Sequence, residues 1–208
     1  MTDLLVIAKE PLPGRVKTRL TPPYSPAEAA ALAEAALADT LAAVAAVPAA
    51  RRVLVLDGRP GPWLPPGFTV VPQCGGGLDA RLAAAFAGCA GPALLIGMDT
   101  PQVTPAHLLP AMDFDAHDAW FGPAADGGFW ALGLADPDPS LLRGVPMSVP
   151  ETGAVLELRL RSAGLRTGRL GVQRDVDTAA DAVEVAAAAP HGRFAALHSR
   201  LRVSGAVR

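Results

Sequence analysis

The chain contains no asparagine, two lysines, two cysteines and one tyrosine among its 208 residues. Cys74 and Cys89 are too few for a disulfide framework, and they do not form a CxxC pair. The four histidines show no HExxH or other metal-binding spacing. We therefore expect a reduced, soluble, cytoplasmic protein without a histidine or cysteine metal site.

Concentrated positive charge and long apolar runs are also missing. The net charge is −2, and the arginines are scattered rather than gathered into a basic stripe of the kind that nucleic-acid binding requires. The longest alanine-rich stretch, Ala27–Ala50, is interrupted by acids and by Pro48, so it falls short of the ~20 apolar residues of a membrane span. An acid precedes the first apolar run, which does not fit a signal peptide. Neither nucleic acid nor a membrane is an expected partner.

The two lysines stand out against an arginine-rich background. Sixteen of the 18 basic residues are arginine and about a fifth of the chain is alanine, a bias that looks like codon pressure. Lys9 and Lys17 nevertheless lie eight residues apart in one short segment. This clustering indicates that the segment has a function for which a compact ammonium group is suited.

Strand and helix patterns alternate along the chain, which predicts an α/β fold with a doubly wound, mostly parallel sheet. We treat residues 1–208 as one domain, with a core over 1–190 and a peripheral helical tail over 191–208. Strands are expected at 4–8, 51–57, 68–72, 93–97, 119–122, 129–134 and 165–170. Helices are expected at 26–47, 78–89 and 151–163, with helix starts at Thr104 and Thr178.

Ligands of such sheets bind at the carboxyl ends of the strands, which directs attention to the loop after the first strand. This loop, Lys9–Leu20, carries four cations, at Lys9, Arg15, Lys17 and Arg19. Gly14 allows close backbone approach to a ligand, and the cations suit nucleotide phosphates. The alternative is an ordinary solvated basic loop. Neither GxxxxGK[ST] nor GxGxxG is present.

Acids follow three other predicted elements. Asp99 comes directly after the strand at 93–97, where it could hold a hard divalent ion or cap a turn before Pro101. Asp126 lies in an Asp-Gly-Gly stretch that is either a plain hairpin turn or part of the cleft. Asp175 and Asp177 alternate, so that they either face one ion together or help to start the next helix.

Three consecutive glycines, at 75–77, precede the helix that begins near residue 78. Backbone N–H groups around Gly76, with Arg81 one turn later, could bind a base or a phosphate. The alternative is a flexible linker.

Several segments together resemble the bacterial DUF2064 family, whose members are described as glycosyltransferases of the A type. The matching segments are AKEPLPGRVKTRL, QCGGGLDARL, GMDTPQ, GPAADGGFWALGL and RDVDTAAD, which run in order from Ala8 to Asp181. The resemblance implies a three-layer nucleotide-diphospho-sugar transferase fold. The first loop is also similar to the AK-T-RL pattern of 2-phospho-lactate guanylyltransferases.

The resemblance also implies roles for individual residues. Lys9, Lys17, Thr18 and Arg19 fall on a phosphate-binding loop, and Asp99 falls on the metal-binding acid. Asp126 and Asp177 match family acids, and both are candidates for a second metal ligand. We expect Asp126 to act with Asp99 in catalysis and Asp177 to bind the metal with Asp99. The chain departs from the pattern at Asp79, where the family usually has glycine, and at Met147–Pro150, where the family has Trp-Ser-Thr-Pro.

These observations favour a transferase that uses Mg²⁺ or Mn²⁺ and an activated nucleotide. The first hypothesis is glycosyl transfer from a nucleotide-sugar donor to a small-molecule acceptor. The second is nucleotidylyl transfer from a nucleoside triphosphate to a phosphorylated small molecule, with release of pyrophosphate, which the density of cations and the single acid in Gly97–Pro101 favour. The third is a nucleotide-binding module without catalysis.

Overall fold

The computed structural model describes residues 1–205, and within this range it contains a single mixed sheet flanked by helices. The strands of the sheet are Asp3–Lys9 (β1), Arg52–Asp57 (β2), Thr69–Pro72 (β3), Ala93–Gly97 (β4), Ala119–Pro123 (β5), Phe129–Leu134 (β6) and Thr167–Arg169 (β7). Each strand lies within two residues of its predicted bounds. The order across the sheet is β3-β2-β1-β4-β6-β5-β7.

The α-helices are Pro26–Ala45 (α1), Leu78–Ala87 (α2), Pro105–Leu108 (α3), Thr152–Ser162 (α4), Ala179–Ala188 (α5) and Arg193–Gly205 (α6). Short 3₁₀ helices cover Thr18–Leu20, Leu109–Met112 and Pro139–Leu141. Over residues 1–205, no helix is both long and apolar enough to cross a membrane.

The sheet is mostly parallel, as predicted. β1 pairs in parallel with β2 and β4, β2 with β3, and β5 with β7. Only β6 runs antiparallel to its neighbours, β4 and β5, because a tight hairpin turn joins it to β5. The carboxyl ends of the adjacent strands β1 and β4 therefore meet at one edge of the sheet.

Alternate residues of the central strands face opposite layers, and this confirms the predicted three-layer arrangement. Leu4 and Val6 of β1 pack with Leu37 of α1 on one face. Leu5, between them, packs with Phe86 of α2 on the other face, in a cluster that also includes residues of α4. Both faces of the strand are buried, which explains its continuous apolar sequence.

Two helix starts form as their sequences predict. Ser25 and Glu28 form a capping box at the start of α1, and Pro26 occupies its first position. Thr178 and Asp181 form a second capping box at the start of α5. These local signals fix the helix starts because they satisfy N–H groups that have no partner within the helix.

The segment after residue 190, which we expect to be a peripheral helical tail, forms α6 in its described part and buries one of its faces. Phe194 and His198 of α6 are only 2% and 4% exposed, and the helix packs against α1 and α5, with Phe194 in the cluster that these helices share. The carboxylate of Asp39, on α1, accepts hydrogen bonds from the backbone N–H groups of Arg193 and Phe194. α6 is therefore part of the core, and residues 206–208 lie outside the described residues.

Candidate functional site

A cleft of about 860 Å³ opens at the carboxyl ends of β1 and β4, as expected for a doubly wound sheet. All but one of the predicted site residues line it, namely Lys9, Arg15, Lys17, Thr18, Arg19, Gly76, Arg81, Asp99, Asp126 and Asp177. The exception is Gly14, which has a φ of +75° and lies outside the lining, in the turn of the first loop. The structure thus brings the predicted residues to one place, while their roles stay predictions.

The ammonium group of Lys17 lies between two carboxylates at the base of the cleft. Its Nζ is 2.8 Å from Asp99 Oδ1 and donates to Asp177 Oδ1 over 3.1 Å. The side chain is 8% exposed, and the backbone adopts the left-handed conformation (φ 48°, ψ 38°) that non-glycine residues rarely take. Burial lowers the pKa of Lys17, but the charges of Asp99 and Asp177 outweigh it and the net shift is upward.

The other cations of the first loop lie at the rim. Lys9, Arg15 and Arg19 are exposed, and the Arg19 side chain is 74% accessible although its Nη1 lies 3.6 Å from Asp177 Oδ2. Such exposed pairs contribute little to stability, so these side chains can turn towards an anion in the cleft. The loop therefore offers one buried cation and three accessible ones.

Asp175 is a site residue that the sequence left undecided between two roles. It lines the cleft beside Asp177, while Val176 between them is buried. The backbone N–H of Val176 donates to the carbonyl of Asp99 over 3.0 Å, which ties this segment to the loop after β4. Thr178 and Asp181 supply the helix cap, so the alternating acids are free to face the cleft.

The carboxyl group of Asp175 is in an environment that disfavours its charge. Its Oδ1 is buried and has no hydrogen-bond partner. Burial, followed by the negative charge of Asp99, raises the pKa of Asp175 to about 7, despite the opposing effect of Lys17. A third acid therefore lies against the pair that already binds Lys17.

These carboxylates fit a hard divalent cation. Asp99, Asp175 and Asp177 can carry three negative charges, and among the described cations only Lys17 is buried with them. Oxygen donors of this kind are what Mg²⁺ and Mn²⁺ prefer. No group of three or more acids, histidines or cysteines within residues 1–205 is arranged to hold a metal as it stands. The carboxylate oxygens are therefore of the kind that binds a divalent ion, but the three side chains must move before they can hold one together.

Arg81 holds the glycine turn in place rather than pointing freely into the cleft. Its Nη1 donates to Asp57 Oδ2 over 2.9 Å and to Gln73 Oε1 over 3.0 Å, and its Nε donates to the Gly76 carbonyl over 3.1 Å. Gln73 in turn donates to the Ala8 carbonyl over 2.7 Å. Three hydrogen bonds of Arg81 thus go to protein groups, and one of them joins its side chain to the glycine turn.

The opposite wall of the cleft is built from the β5–β6 turn and the start of α4. Asp126 is exposed, and its Oδ1 accepts a hydrogen bond from the Gly128 N–H over 2.9 Å. Ser148, which also lines the cleft, has a φ of 60°, a strained value for a residue with a side chain. The Thr152 hydroxyl, 2.8 Å from the Pro146 and Val149 carbonyls, holds this segment.

The sheet order, the flanking helices and the cleft define the nucleotide-diphospho-sugar transferase fold. The chain belongs to a bacterial family described as "Uncharacterized protein conserved in bacteria (DUF2064)", whose model matches residues 29–149. This confirms the resemblance found in the sequence. No curated protein matches the chain.

Solved structures share the fold over nearly the whole chain. The "putative nucleotide-diphospho-sugar transferase" of Desulfovibrio desulfuricans G20 is 24% identical, with a TM-score of 0.86 and coverage of 98% of this chain and 96% of that one. 2-C-methyl-D-erythritol 4-phosphate cytidylyltransferase from Thermus thermophilus is 16% identical, with a TM-score of 0.54 and coverage of 90% and 98%. Rv0371c from Mycobacterium tuberculosis H37Rv, in complex with manganese, is 22% identical, with a TM-score of 0.52 and coverage of 88% and 97%.

Proposed function

We propose that the protein is a metal-dependent transferase that passes a sugar from a nucleotide-sugar to a small-molecule acceptor. The observation that carries this proposal is the convergence of Asp99, Asp175 and Asp177 in a cleft whose rim bears exposed cations. A nucleotide-sugar carries a diphosphate, and its binding requires two kinds of group. These are acids that can hold a divalent ion and, next to them, cations that can bind phosphate.

Mg²⁺ or Mn²⁺ would be held by Asp99 and Asp177, with Asp175 beside them. When bound, the ion would neutralise negative charge on the departing diphosphate. The manganese complex of Rv0371c, which has the same fold, supports this choice of ion. The protein's own task is to present these carboxylates on rigid supports, and the Asp99–Val176 backbone hydrogen bond fixes two of the segments to each other.

The first loop would bind the phosphates. Arg15 and Arg19 can each form two parallel hydrogen bonds to a phosphate, and Lys9 supplies a point charge. The glycine turn would bind the nucleoside, because its backbone is fixed by Arg81 and borders the same cleft. The donor would therefore extend from the glycine turn across the first loop to the acids.

In the transfer itself, the bond between the sugar C1 and the diphosphate oxygen breaks, and a bond between C1 and the acceptor oxygen forms. The acceptor hydroxyl must lose a proton, and the carboxylate of Asp126, on the opposite wall, would accept it. Its Oδ1 is anchored by the Gly128 N–H, so the group is oriented before the acceptor arrives. The diphosphate leaves with the electron pair of the broken bond.

Nucleotidylyl transfer is a second candidate, and a specific observation favours it. Lys9, Arg15, Lys17 and Arg19 all line the cleft, which is more positive charge than a diphosphate needs and suits a triphosphate. In this reaction an acceptor phosphate oxygen attacks the α-phosphorus, and pyrophosphate leaves. The cytidylyltransferase from Thermus thermophilus has the same fold.

A binding screen separates these reactions. Nucleoside triphosphates and nucleotide-sugars are titrated into the protein by calorimetry, with and without Mn²⁺, and products of the tightest binder are analysed with small-molecule acceptors. We expect metal-dependent binding of a nucleotide-sugar, and release of a nucleoside diphosphate. Preference for a triphosphate with pyrophosphate release would select the second candidate. Binding without product formation would favour the nucleotide-binding module without catalysis, and binding of neither class would contradict both reactions.

A further inference from the structure

We infer that Lys17 is an internal counter-ion that competes with the divalent metal for Asp99 and Asp177. The metal would then bind only as the ammonium group leaves these carboxylates. This inference rests on the proposed metal-dependent function and adds a control step to it. The cleft would hold its own cation in the absence of substrate and exchange it for a metal when the nucleotide arrives.

The positions of the atoms set up the competition. Lys17 Nζ contacts the Oδ1 atoms of both acids, at 2.8 Å and 3.1 Å. A divalent ion held by these two oxygens would need the space between them that the ammonium group fills. Two cations cannot occupy that space together, because their positive charges repel each other. Metal binding at these oxygens therefore requires Lys17 to move.

Burial explains why Lys17 stays with the acids until a replacement arrives. A buried ammonium group without a partner is strongly destabilised, and so are buried carboxylates without a cation. The Lys17 side chain is 8% exposed, whereas the Asp99 and Asp177 side chains are 34% and 38% exposed. The acids are thus reachable from the cleft, and a phosphate that enters beside the lysine would offer it another anionic partner.

This exchange couples metal binding to nucleotide binding. A phosphate in the cleft offers Lys17 a new partner, and the freed carboxylates then bind the metal more strongly. Each ligand should therefore increase the affinity for the other by the same factor, as linkage requires. The free protein should bind a divalent ion weakly, and the nucleotide complex should bind it tightly.

The rim cations provide a contrast within the same loop. Lys9 and Arg15 line the cleft without forming an ion pair to Asp99 or Asp177, and Arg19 approaches only Asp177, at 3.6 Å and largely exposed. Among the cations that the structure describes, only Lys17 forms an ion pair with both acids. Lys9→Met is therefore a matched control, because it removes the same charge from the same loop at a different position.

The first experiment measures Mn²⁺ binding to the protein without nucleotide, by electron paramagnetic resonance of the free ion. We expect Lys17→Met to bind Mn²⁺ at least about tenfold more tightly than the wild type, within the usual range of coupling between sites. Lys9→Met should match the wild type. Equal or weaker Mn²⁺ affinity in Lys17→Met would overturn the inference while leaving the proposed function intact.

The second experiment uses the unaltered protein, so that it does not depend on the folding of a variant. Because the chain has only two lysines, trace acetylation followed by peptide mass spectrometry reports Lys17 with Lys9 as an internal reference. We expect slow labelling of Lys17 without metal and faster labelling when Mn²⁺ saturates the site. An unchanged Lys17 to Lys9 ratio at saturation would overturn the inference. Failure of every variant to bind Mn²⁺, even with triphosphates or nucleotide-sugars, would overturn the proposed function with it.

Discussion

The backbone N–H of Gly153 donates a hydrogen bond to the carbonyl of Gly127 over 2.8 Å. It joins the first turn of α4 to the hairpin turn that carries Asp126. A β-carbon on Gly153 would lie 2.7 Å from the Gly128 carbonyl oxygen, so this approach requires a residue without a side chain. One wall of the cleft is therefore a single rigid unit made from two distant parts of the chain.

Gly127→Ala is expected to disrupt this wall. Gly127 has a φ of +90°, and a β-carbon there would clash with the carbonyl group of Pro150. Strain and steric overlap together should lower the free energy of unfolding by at least about 2 kcal/mol. Urea denaturation measures this effect. Gly171→Ala is the control, since a β-carbon at Gly171 meets nothing within 4 Å and should leave the midpoint nearly unchanged. Equal midpoints for both variants would contradict the prediction.

Asp99→Asn should abolish metal-dependent transfer while the protein stays folded. The substitution keeps the shape of the side chain but removes the negative charge that a divalent ion requires. We expect turnover to fall by at least about a hundredfold, as is typical when a principal electrostatic group is lost. The assay compares turnover and Mn²⁺ binding with those of Asp136→Asn, which changes an exposed acid outside the cleft. Normal turnover in Asp99→Asn would refute the metal assignment.

Asp175→Asn should make stability less dependent on pH. The carboxyl pKa is 3.8 ordinarily and about 7 in the folded protein, so between these values the folded state retains a proton that the unfolded chain has lost. The contribution of Asp175 to the free energy of unfolding should therefore fall as the pH rises from about 4 to about 7, and level off above that. Asparagine has no such proton to lose.

Melting temperatures of the wild type and of Asp175→Asn between pH 4 and pH 8 test this expectation. The two proteins should melt at similar temperatures near pH 4, and the variant should melt a few degrees higher near pH 8. Asp136→Asn serves again as the control for removal of a carboxylate. If the two melting temperatures differed by the same amount at every pH, that result would argue against a raised pKa at Asp175.

Phe194→Ala tests whether α6 belongs to the core. A fully buried phenylalanine replaced by alanine typically costs about 3–5 kcal/mol of unfolding free energy, and Phe194 is 2% exposed. Val203→Ala, in the same helix, changes a residue that is 70% exposed and should alter stability by less than about 0.5 kcal/mol. Chemical denaturation would measure both variants. If Phe194→Ala lowered the free energy of unfolding only slightly, α6 would be dispensable for the fold.

Much of the fold could be predicted because its signals are local. The apolar run at Leu4–Ala8 and the capping boxes at Ser25 and Thr178 each depend on residues within a few positions of one another. Ten of the residues that line the cleft were then identified from two signals. One is the resemblance of several segments, in the same order along the chain, to a family, and the other is the charge of the first loop. α6 was expected as a helix, but its packing was missed because a helical pattern does not reveal which surface covers it.

The sequence by itself determined the elements, their order and the concentration of cations in the first loop. Only the tertiary structure decided which charges meet: Lys17 contacts an acid 160 positions away, Arg81 is engaged by Asp57, and Asp175 becomes a buried acid. The reason is physical. Periodicity and capping are interactions between neighbours in the chain, whereas pairing and burial of charges depend on which strand ends the sheet brings together.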